Sequence, residues 1–310
     1  MTATNKSEVG NRESGAGRTP APRSGRATRL SVETRTPNPN SRISDPEKRK
    51  SKDFLFLHLR ALPFFRALLR AVESSYYQGL DLPAPVYDVG CGDGHFASLT
   101  FEQKIDVGLD PWHEQIHEAR KHEGYSLLVE ADAAQSPFQD GFFASGFSNS
   151  VLEHIPHLEA VLVETARVLK PGAPFVFCVP NQNFLKHLSI AQFFDRVGLK
   201  WLAGCYRTLF NKISRHYHCD DPATWERRLA GAGFKIENYW HYFSPSALAA
   251  LEWGHYLGLP SWICRMIFGR WILVPQRWNL ALPHRLLRRY YNEPIPQGHG
   301  AYTFYVTRRV

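Results

Sequence analysis

The chain has 310 residues, 44% of them hydrophobic, with 37 Lys and Arg against 29 Asp and Glu. That length and apolar content allow a large buried core and exclude a small disulfide-stapled scaffold or a wholly disordered chain. No run approaches the ~18 consecutive apolar residues that span a bilayer, no apolar signal core opens the chain, and the five cysteines show no CxxC pairing. A cytoplasmic protein in a reducing compartment is therefore expected.

Residues 1–52 carry 12 Lys and Arg against 5 Asp and Glu, are rich in Ser, Thr, Asn, Gly and Pro, and show no apolar periodicity. A segment of that composition does not bury enough apolar surface to offset its ordering entropy, so a disordered basic tail, dispensable for folding, is predicted. Its Arg- and Ser-rich start has the flavour of an organelle transit peptide, but Glu8, Glu13 and Glu33 break the acid-poor rule. Once the tail is set aside, residues 53–310 are balanced at 25 basic against 24 acidic side chains. A nearly neutral body argues against a nucleic-acid partner, which would need many phosphate contacts.

The first predicted strand, Val86-Tyr87-Asp88-Val89, runs into Gly90-Cys91-Gly92-Asp93-Gly94 and then a helix starting near His95. Alternating glycines between a strand and a helix suit a backbone that turns with φ > 0 and lets a ligand approach without a Cβ in the way. A dinucleotide fingerprint would need glycine at 95, where histidine stands, so a nicotinamide oxidoreductase is disfavoured. Asp88 at the strand tip would repel phosphates and attract an ammonium, which favours the zwitterion S-adenosylmethionine.

Val107-Gly108-Leu109-Asp110 and Leu127-Leu128-Val129-Glu130-Ala131-Asp132-Ala133 repeat the pattern of an apolar strand with an acid at its end, so that acids stand at 88, 110 and 132. Any one of them alone reads equally as a helix cap or a solvated loop residue; their even spacing argues for a shared ligand. Leu158, Val161, Leu162, Thr165, Val168 and Leu169 fall at helical intervals and stop at Pro171-Gly172. Phe175-Val176-Phe177-Cys178-Val179 has the continuous apolar character of a parallel strand covered on both faces. Ligands collect at the carboxyl ends of such strands, where Asp88, Asp110, Asp132 and Asn149 all lie.

Residues 84–181 resemble the class I S-adenosylmethionine-dependent methyltransferases, most closely the ubiquinone/menaquinone-biosynthesis-like branch, through D-x-G-x-G-x-G at 88–94, the two further strand-end acids, the Glu153-His154 turn and the Leu169-Lys170-Pro171-Gly172 helix stop. The resemblance implies an α/β fold with a doubly wound, mostly parallel seven-stranded sheet and helical lid insertions. It implies S-adenosylmethionine as cofactor, held by Asp88, Gly90, Cys91, Gly92, Gly94, Asp110, Pro111, Asp132, Ala133 and Asn149, with Asp110 on the ribose hydroxyls and Asp132 on the adenine amino group. It also implies a lid role for segments 182–220 and 244–300, and places His154 near the transferred methyl.

Within those segments, apolar clusters between Phe184 and Phe210 suggest two helices, followed by a helix over 222–232 and strands near 234–243 and 301–308. The aromatic set Phe193, Phe194, Trp201, Tyr206, Phe210, Tyr239, Trp240, Tyr242 and Phe243 is expected to enclose a small hydrophobic or amphipathic acceptor. Residues 254–291 interleave tryptophans and aliphatics with arginines, the composition of an interfacial helix, so a peripheral membrane contact stands beside the simpler reading of a lid with arginines outside. His216-Tyr217-His218-Cys219-Asp220-Asp221 concentrates metal-ligand types, but no partner pair is visible elsewhere apart from isolated Cys205, so no metal is expected. His154 and His218 are the candidate bases for a methyl transfer by in-line displacement. The rival readings are a non-catalytic subunit of this fold that binds a partner, and a methyltransferase acting on RNA or protein.

Overall fold

A computed structural model describes residues 52–310; the expectations for the N-terminal tail, Lys52 apart, lie outside the described residues. Two helices, α1 (Phe54–Leu59) and α2 (Phe64–Tyr77), precede the first strand. The chain then alternates through β1 (Val86–Val89), α3 (His95–Thr100), β2 (Ile105–Asp110), α4 (His113–Ala119), β3 (Tyr125–Glu130), β4 (Ser145–Asn149), α5 (Leu158–Val168) and β5 (Pro174–Pro180). Helices α6 (Ser189–Arg196), α7 (Lys200–Ser214) and α8 (Pro222–Gly231) lead to β6 (Phe234–Tyr242). Helices α9 (Pro245–Leu257), α10 (Leu259–Phe268) and α11 (Arg277–Tyr291) precede β7 (Tyr302–Arg309).

The seven strands form one sheet in the order β3-β2-β1-β4-β5-β7-β6. Strands β1 to β5 pair in parallel, and β7 runs antiparallel to both β5 and β6. The carboxyl ends of β1 to β6 therefore share one edge, and the order reverses between β1 and β4, where a doubly wound sheet opens a ligand crevice. This is the doubly wound fold expected from the sequence.

Period-two alternation builds a core on each face. Along β5, Val176 and Cys178 join the cluster formed with α1 and α2, whereas Phe175, Phe177 and Val179 join the one formed with α5 and α8. Local signals set the helix starts. Asp221 accepts the Thr224 N–H ahead of Pro222 at the head of α8, and Ser244 accepts the Ala247 N–H ahead of Pro245 at the head of α9.

Two expectations need correction. β3 ends at Glu130, two residues short of Asp132, and it is one of the two edge strands, with Leu127 51% exposed. The aromatic set does not line one acceptor pocket. Phe210, Trp240, Tyr242 and Phe243 are core, packed around Tyr76, Phe184, Tyr302 and Phe304, whereas Phe193 and Trp201 face outward. Large aromatic side chains gain as much from filling a core as from lining a pocket, and their composition does not distinguish the two.

Candidate active site

The glycine loop lies at the crevice between β1 and β4. Gly90, at φ 82°, has no room for a Cβ, which would meet Val151 Cγ1 at 2.4 Å. Gly92, at φ 54°, has nothing within 4 Å of its Cβ position. One glycine is thus demanded by packing, and the other leaves open space where a ligand can approach the backbone. Beside them lies a cavity of about 140 Å³ lined by Asp88, Gly90, Cys91, Gly92 and Asn149, together with Arg66 and Arg70 of α2. Gly94 stands outside this lining and caps α3, close against Ala119 of α4.

Asp88 is 3% exposed and accepts a 2.5 Å hydrogen bond from the Tyr125 hydroxyl. Burial, helped by the negative charge of Asp110 and opposed by the Tyr125 bond, pushes its carboxyl up to about 7. A cation placed in the cavity would therefore drive it to the ionised form. Asp110 is also buried, and burial raises its pKa. Its two oxygens each accept one backbone N–H, from Gly92 and Trp112, both at 3.0 Å, so each keeps a lone pair for a further donor. Beyond β2 and β3 the arrangement opens. Pro111 and Asp132 are exposed, Ala133 is buried, and Asp132 accepts the Ala134 N–H at 2.8 Å.

Asn149 proves to be a structural node. Its amide donates to Glu73 at 2.8 Å and accepts from the Cys178 thiol at 3.0 Å, while its carbonyl accepts from Arg70. Fully buried Glu73, on α2, also takes hydrogen bonds from Arg70, Ser150 and Tyr242. Four donors on one carboxylate lock α2 to the ends of β4 and β6. Ser150, at φ 51°, is held in the left-handed region by this bond, local strain of the kind found at functional sites.

Sequence patterns did not single out α2. Arg66 and Arg70, one turn apart, project from it into the cavity. Arg70 is paired with Glu73, whereas Arg66 has no carboxylate within ion-pair distance among the described residues and lies over the Trp271 ring. A guanidinium without an ion-pair partner beside an open glycine loop could receive a carboxylate. The available signal was an Arg-x-x-x-Arg repeat interrupting an apolar helix face.

Past β4, Glu153 is 1% exposed and its Oε2 has no hydrogen-bond partner. Burial and the nearby Glu73 charge push its carboxyl up to about 8. His154 Nδ1 lies 2.9 Å from the Arg215 carbonyl, which fixes Nδ1 as the protonated, donating nitrogen and leaves the Nε2 lone pair free, 3.8 Å from Glu153 Oε1. Burial lowers its pKa, so the ring is neutral at pH 7. His218 is differently placed. Its Nε2 meets the Ile155 carbonyl at 2.9 Å and its Nδ1 faces Arg228 at 3.3 Å, so neither nitrogen has a lone pair for a substrate proton. Of the two candidate bases, His154 is on that ground the better placed.

No partner for the His216 to Asp221 run is visible along the sequence; folding supplies one. Glu153, His154 and His216 bring one ligand atom each within 4.8 Å of one another. A divalent cation could be held there only after Glu153 loses its proton, and burial also lowers the His216 pKa, to about 3, leaving that ring neutral.

A larger cleft of about 1100 Å³ continues from the glycine loop, sharing Leu62, Arg66, Asp93, His95 and Gln115 with the small cavity. Its outer wall is Arg215 together with the stretch from Arg265 to Pro275. Arg60, Arg66, Lys121, Arg215, Arg265 and Arg270 line it against Asp93, Glu114 and Glu118, so the cleft is basic although the folded body is balanced.

Residues 87–177 match the family model described as a methyltransferase domain. Among curated proteins, the chain is similar to sterol methyltransferase-like 3 of Botryococcus braunii, 38% identical over 109 residues, covering 32% of this chain and 28% of that one. It is also similar to a ubiquinone biosynthesis O-methyltransferase of Vibrio atlanticus, 32% identical over 110 residues, covering 33% of this chain and 46% of that one. The match thus spans less than half the length of these relatives. Among solved structures, a possible histamine N-methyltransferase of Thermotoga maritima aligns over 83% of this chain and 93% of that one at 16% identity, with a TM-score of 0.47.

Proposed function

We propose that this chain, in which residues 87–177 form a class I S-adenosylmethionine-dependent methyltransferase domain, moves the sulfonium methyl to a small amphipathic acceptor. The observation that carries the reading is the open space over Gly92, set between buried Asp88, buried Asp110 and unpaired Arg66. An amino-acid zwitterion joined to a nucleoside needs an anion for its ammonium, a cation for its carboxylate and a bidentate acceptor for its ribose. Asp88, Arg66 and Asp110 supply them in that order.

When bound, the cofactor supplies an activated methyl on a sulfonium. The protein's part is to orient, to exclude water and to handle a proton. Orientation comes from α2, whose Glu73 network fixes Arg70 against β4, and holding an acceptor about 3 Å from the methyl lowers the barrier by several kcal/mol. His154 is the proposed base. Its tautomer is set by the Arg215 carbonyl, and its Nε2 lone pair is free to take a proton. The basic lining of the cleft favours an acceptor that carries an anionic or strongly polar group on an apolar body, in keeping with a hydrophobic or amphipathic small molecule.

The test is calorimetric titration of S-adenosylmethionine and S-adenosylhomocysteine, followed by transfer of labelled methyl to an organic-solvent extract and to total RNA of the source cells. Binding with label in the extract, lost in His154→Ala, is expected. Tight nicotinamide-dinucleotide binding without S-adenosylmethionine binding would overturn the cofactor. Label in RNA, steeply salt-dependent, would overturn the acceptor class, and cofactor binding with no transfer to either pool would favour a non-catalytic subunit.

A further inference from the structure

Amphipathic helices of a folded domain turn their apolar stripe inward, because burying an aliphatic or aromatic side chain stabilises by about 1.5–3 kcal/mol. Helix α10 does the reverse. Leu259, Trp262, Ile263, Met266 and Ile267 follow the i, i+3, i+4, i+7, i+8 spacing of one helix face, yet all five are exposed, from 44% to 67%, and not one residue of α10 is buried. The same holds for the outer face of α11. Leu280 and Leu287 turn inward, while Trp278, Leu282 and Leu286 stand 74%, 66% and 58% exposed. More than half of the large apolar side chains exposed among the described residues fall between Trp253 and Leu286. Nothing in the chain's own described residues covers them.

Charge identifies the occupant. Between Glu252 and Glu293 there are six arginines and neither an aspartate nor a glutamate, although the folded body as a whole is balanced. Arg285 and Arg289 sit on the same outward face of α11 as Trp278 and Leu282, and Arg265 stacks on Trp271, its guanidinium carbon 4.8 Å from the ring centroid. Aromatic side chains and arginines also gather at protein interfaces, but there they come with no fixed sign of partner, whereas each unopposed arginine near an anionic leaflet is attracted to it by about 1 kcal/mol. Exposed aliphatic and aromatic side chains interleaved with cations of one sign fit the boundary between acyl chains and anionic headgroups. No helix among the described residues is long and apolar enough to cross a membrane, so the element lies on the surface.

We propose that α10 and the outer face of α11 dock this protein on an anionic lipid bilayer. The docking stands independently of the methyl-transfer reading. If that reading holds, the geometry adds a route for the acceptor, because Gly269, Arg270, Trp271, Ile272 and Pro275, which join the two helices, form the outer wall of the cofactor cleft. A bilayer beneath them would present amphipathic molecules to its mouth.

The experiment is flotation of the full chain with vesicles of phosphatidylcholine alone and of phosphatidylcholine mixed with phosphatidylglycerol, for the wild type, Ile263→Glu/Ile267→Glu and Arg285→Glu/Arg289→Glu. The wild type should float with the anionic vesicles and be released by salt. Ile263→Glu/Ile267→Glu should bind at least about tenfold more weakly, since two penetrating side chains are replaced by charges. Arg285→Glu/Arg289→Glu should lose most of the preference for anionic over neutral vesicles. Both variants should melt with the wild type and retain its affinity for S-adenosylhomocysteine. Three outcomes would overturn the proposal: a wild type that ignores vesicles, an Ile263→Glu/Ile267→Glu variant that floats as well as the wild type, which would assign binding to the basic N-terminal segment, or a vesicle-indifferent dimer that Ile263→Glu/Ile267→Glu makes monomeric, which would assign the face to a second copy.

Discussion

The carboxyl edge of the sheet and the α10–α11 surface are opposite solutions for polar and apolar groups. At the sheet edge, charged groups are buried and nearly every one has a partner, as Glu73 with its four donors illustrates. On α10 and the outer face of α11, apolar groups are exposed and, among the described residues, uncovered. The first region spends its interactions on holding itself in one geometry; the second keeps them for something outside. Substitutions in the Glu73 network should therefore act on stability, and those on the α10 face on binding.

The largest effect is expected at Glu73. Glu73→Ala leaves the Arg70 charge and three buried donors without their acceptor, and breaking a buried ionic network of this kind costs about 3–5 kcal/mol. For a chain of this size that lowers Tm by roughly 10 °C, readable by calorimetry. Ile267→Glu on α10 should leave Tm unchanged. Equal losses from the two substitutions would break the contrast.

Next comes a pH dependence. Glu153 has a folded pKa of about 8 against an ordinary 4.5, so between those values the folded chain holds a proton that the unfolded chain has released. Stability then falls as pH rises from about 4.5 to about 8, by an amount on the order of a few kcal/mol. Asp88, pushed up to about 7, acts in the same direction. Glu153→Gln, neutral throughout, should melt higher than the wild type at pH 8 and close to it at pH 5. An identical slope in both proteins would show that Glu153 ionises normally.

A smaller effect separates the two ends of the cofactor. Asp110→Ala should weaken S-adenosylhomocysteine and adenosine alike, by about 1.5–3 kcal/mol, the range for hydrogen bonds to a charged group. Arg66→Ala should weaken S-adenosylhomocysteine by a similar amount and leave adenosine unchanged, because adenosine carries no carboxylate. Titration of both ligands into both variants decides it. Loss of adenosine binding in Arg66→Ala would move that guanidinium to the nucleoside end.

The sheet edge was legible from sequence because each of its signals is short-range. Asp88 and the glycines lie within one turn, and Asp110 and Asp132 each follow an apolar strand. Three kinds of residue escaped. Arg66, Arg70 and Glu73 precede the first strand, on a helix that no strand-end pattern marks; an acid embedded in the buried stretch Ala71-Val72-Glu73-Ser74 was the clue. Asn149 was placed correctly at a strand end, but its partners, Glu73 and Cys178, are distant in sequence. The aromatic set carried no directional information, since hydrophobic side chains satisfy a core and a pocket equally well. On α10 the apolar period was readable, but whether the stripe faces a core or a bilayer depends on what the rest of the chain leaves uncovered.

The smallest expected effect on stability distinguishes two histidines that look alike in the sequence. His218 bonds the Ile155 carbonyl and faces Arg228, which in turn pairs with Asp220 at 3.0 Å, so it ties the segment after α7 to the turn after β4. His218→Ala should cost about 1 kcal/mol of stability, the net worth of such a hydrogen bond, and leave the methyl-transfer rate within about a factor of two at saturating acceptor. His154→Ala should instead lower kcat by about 10²–10⁴, the usual contribution of a general base, with little change in Tm because its ring is part exposed and makes one backbone bond. Measuring kcat and Tm on both variants separates a proton acceptor from a structural strut. A large kcat loss in His218→Ala, with Tm intact, would return the base to that residue, and a flat kcat in both would mean that the acceptor arrives without a proton to lose.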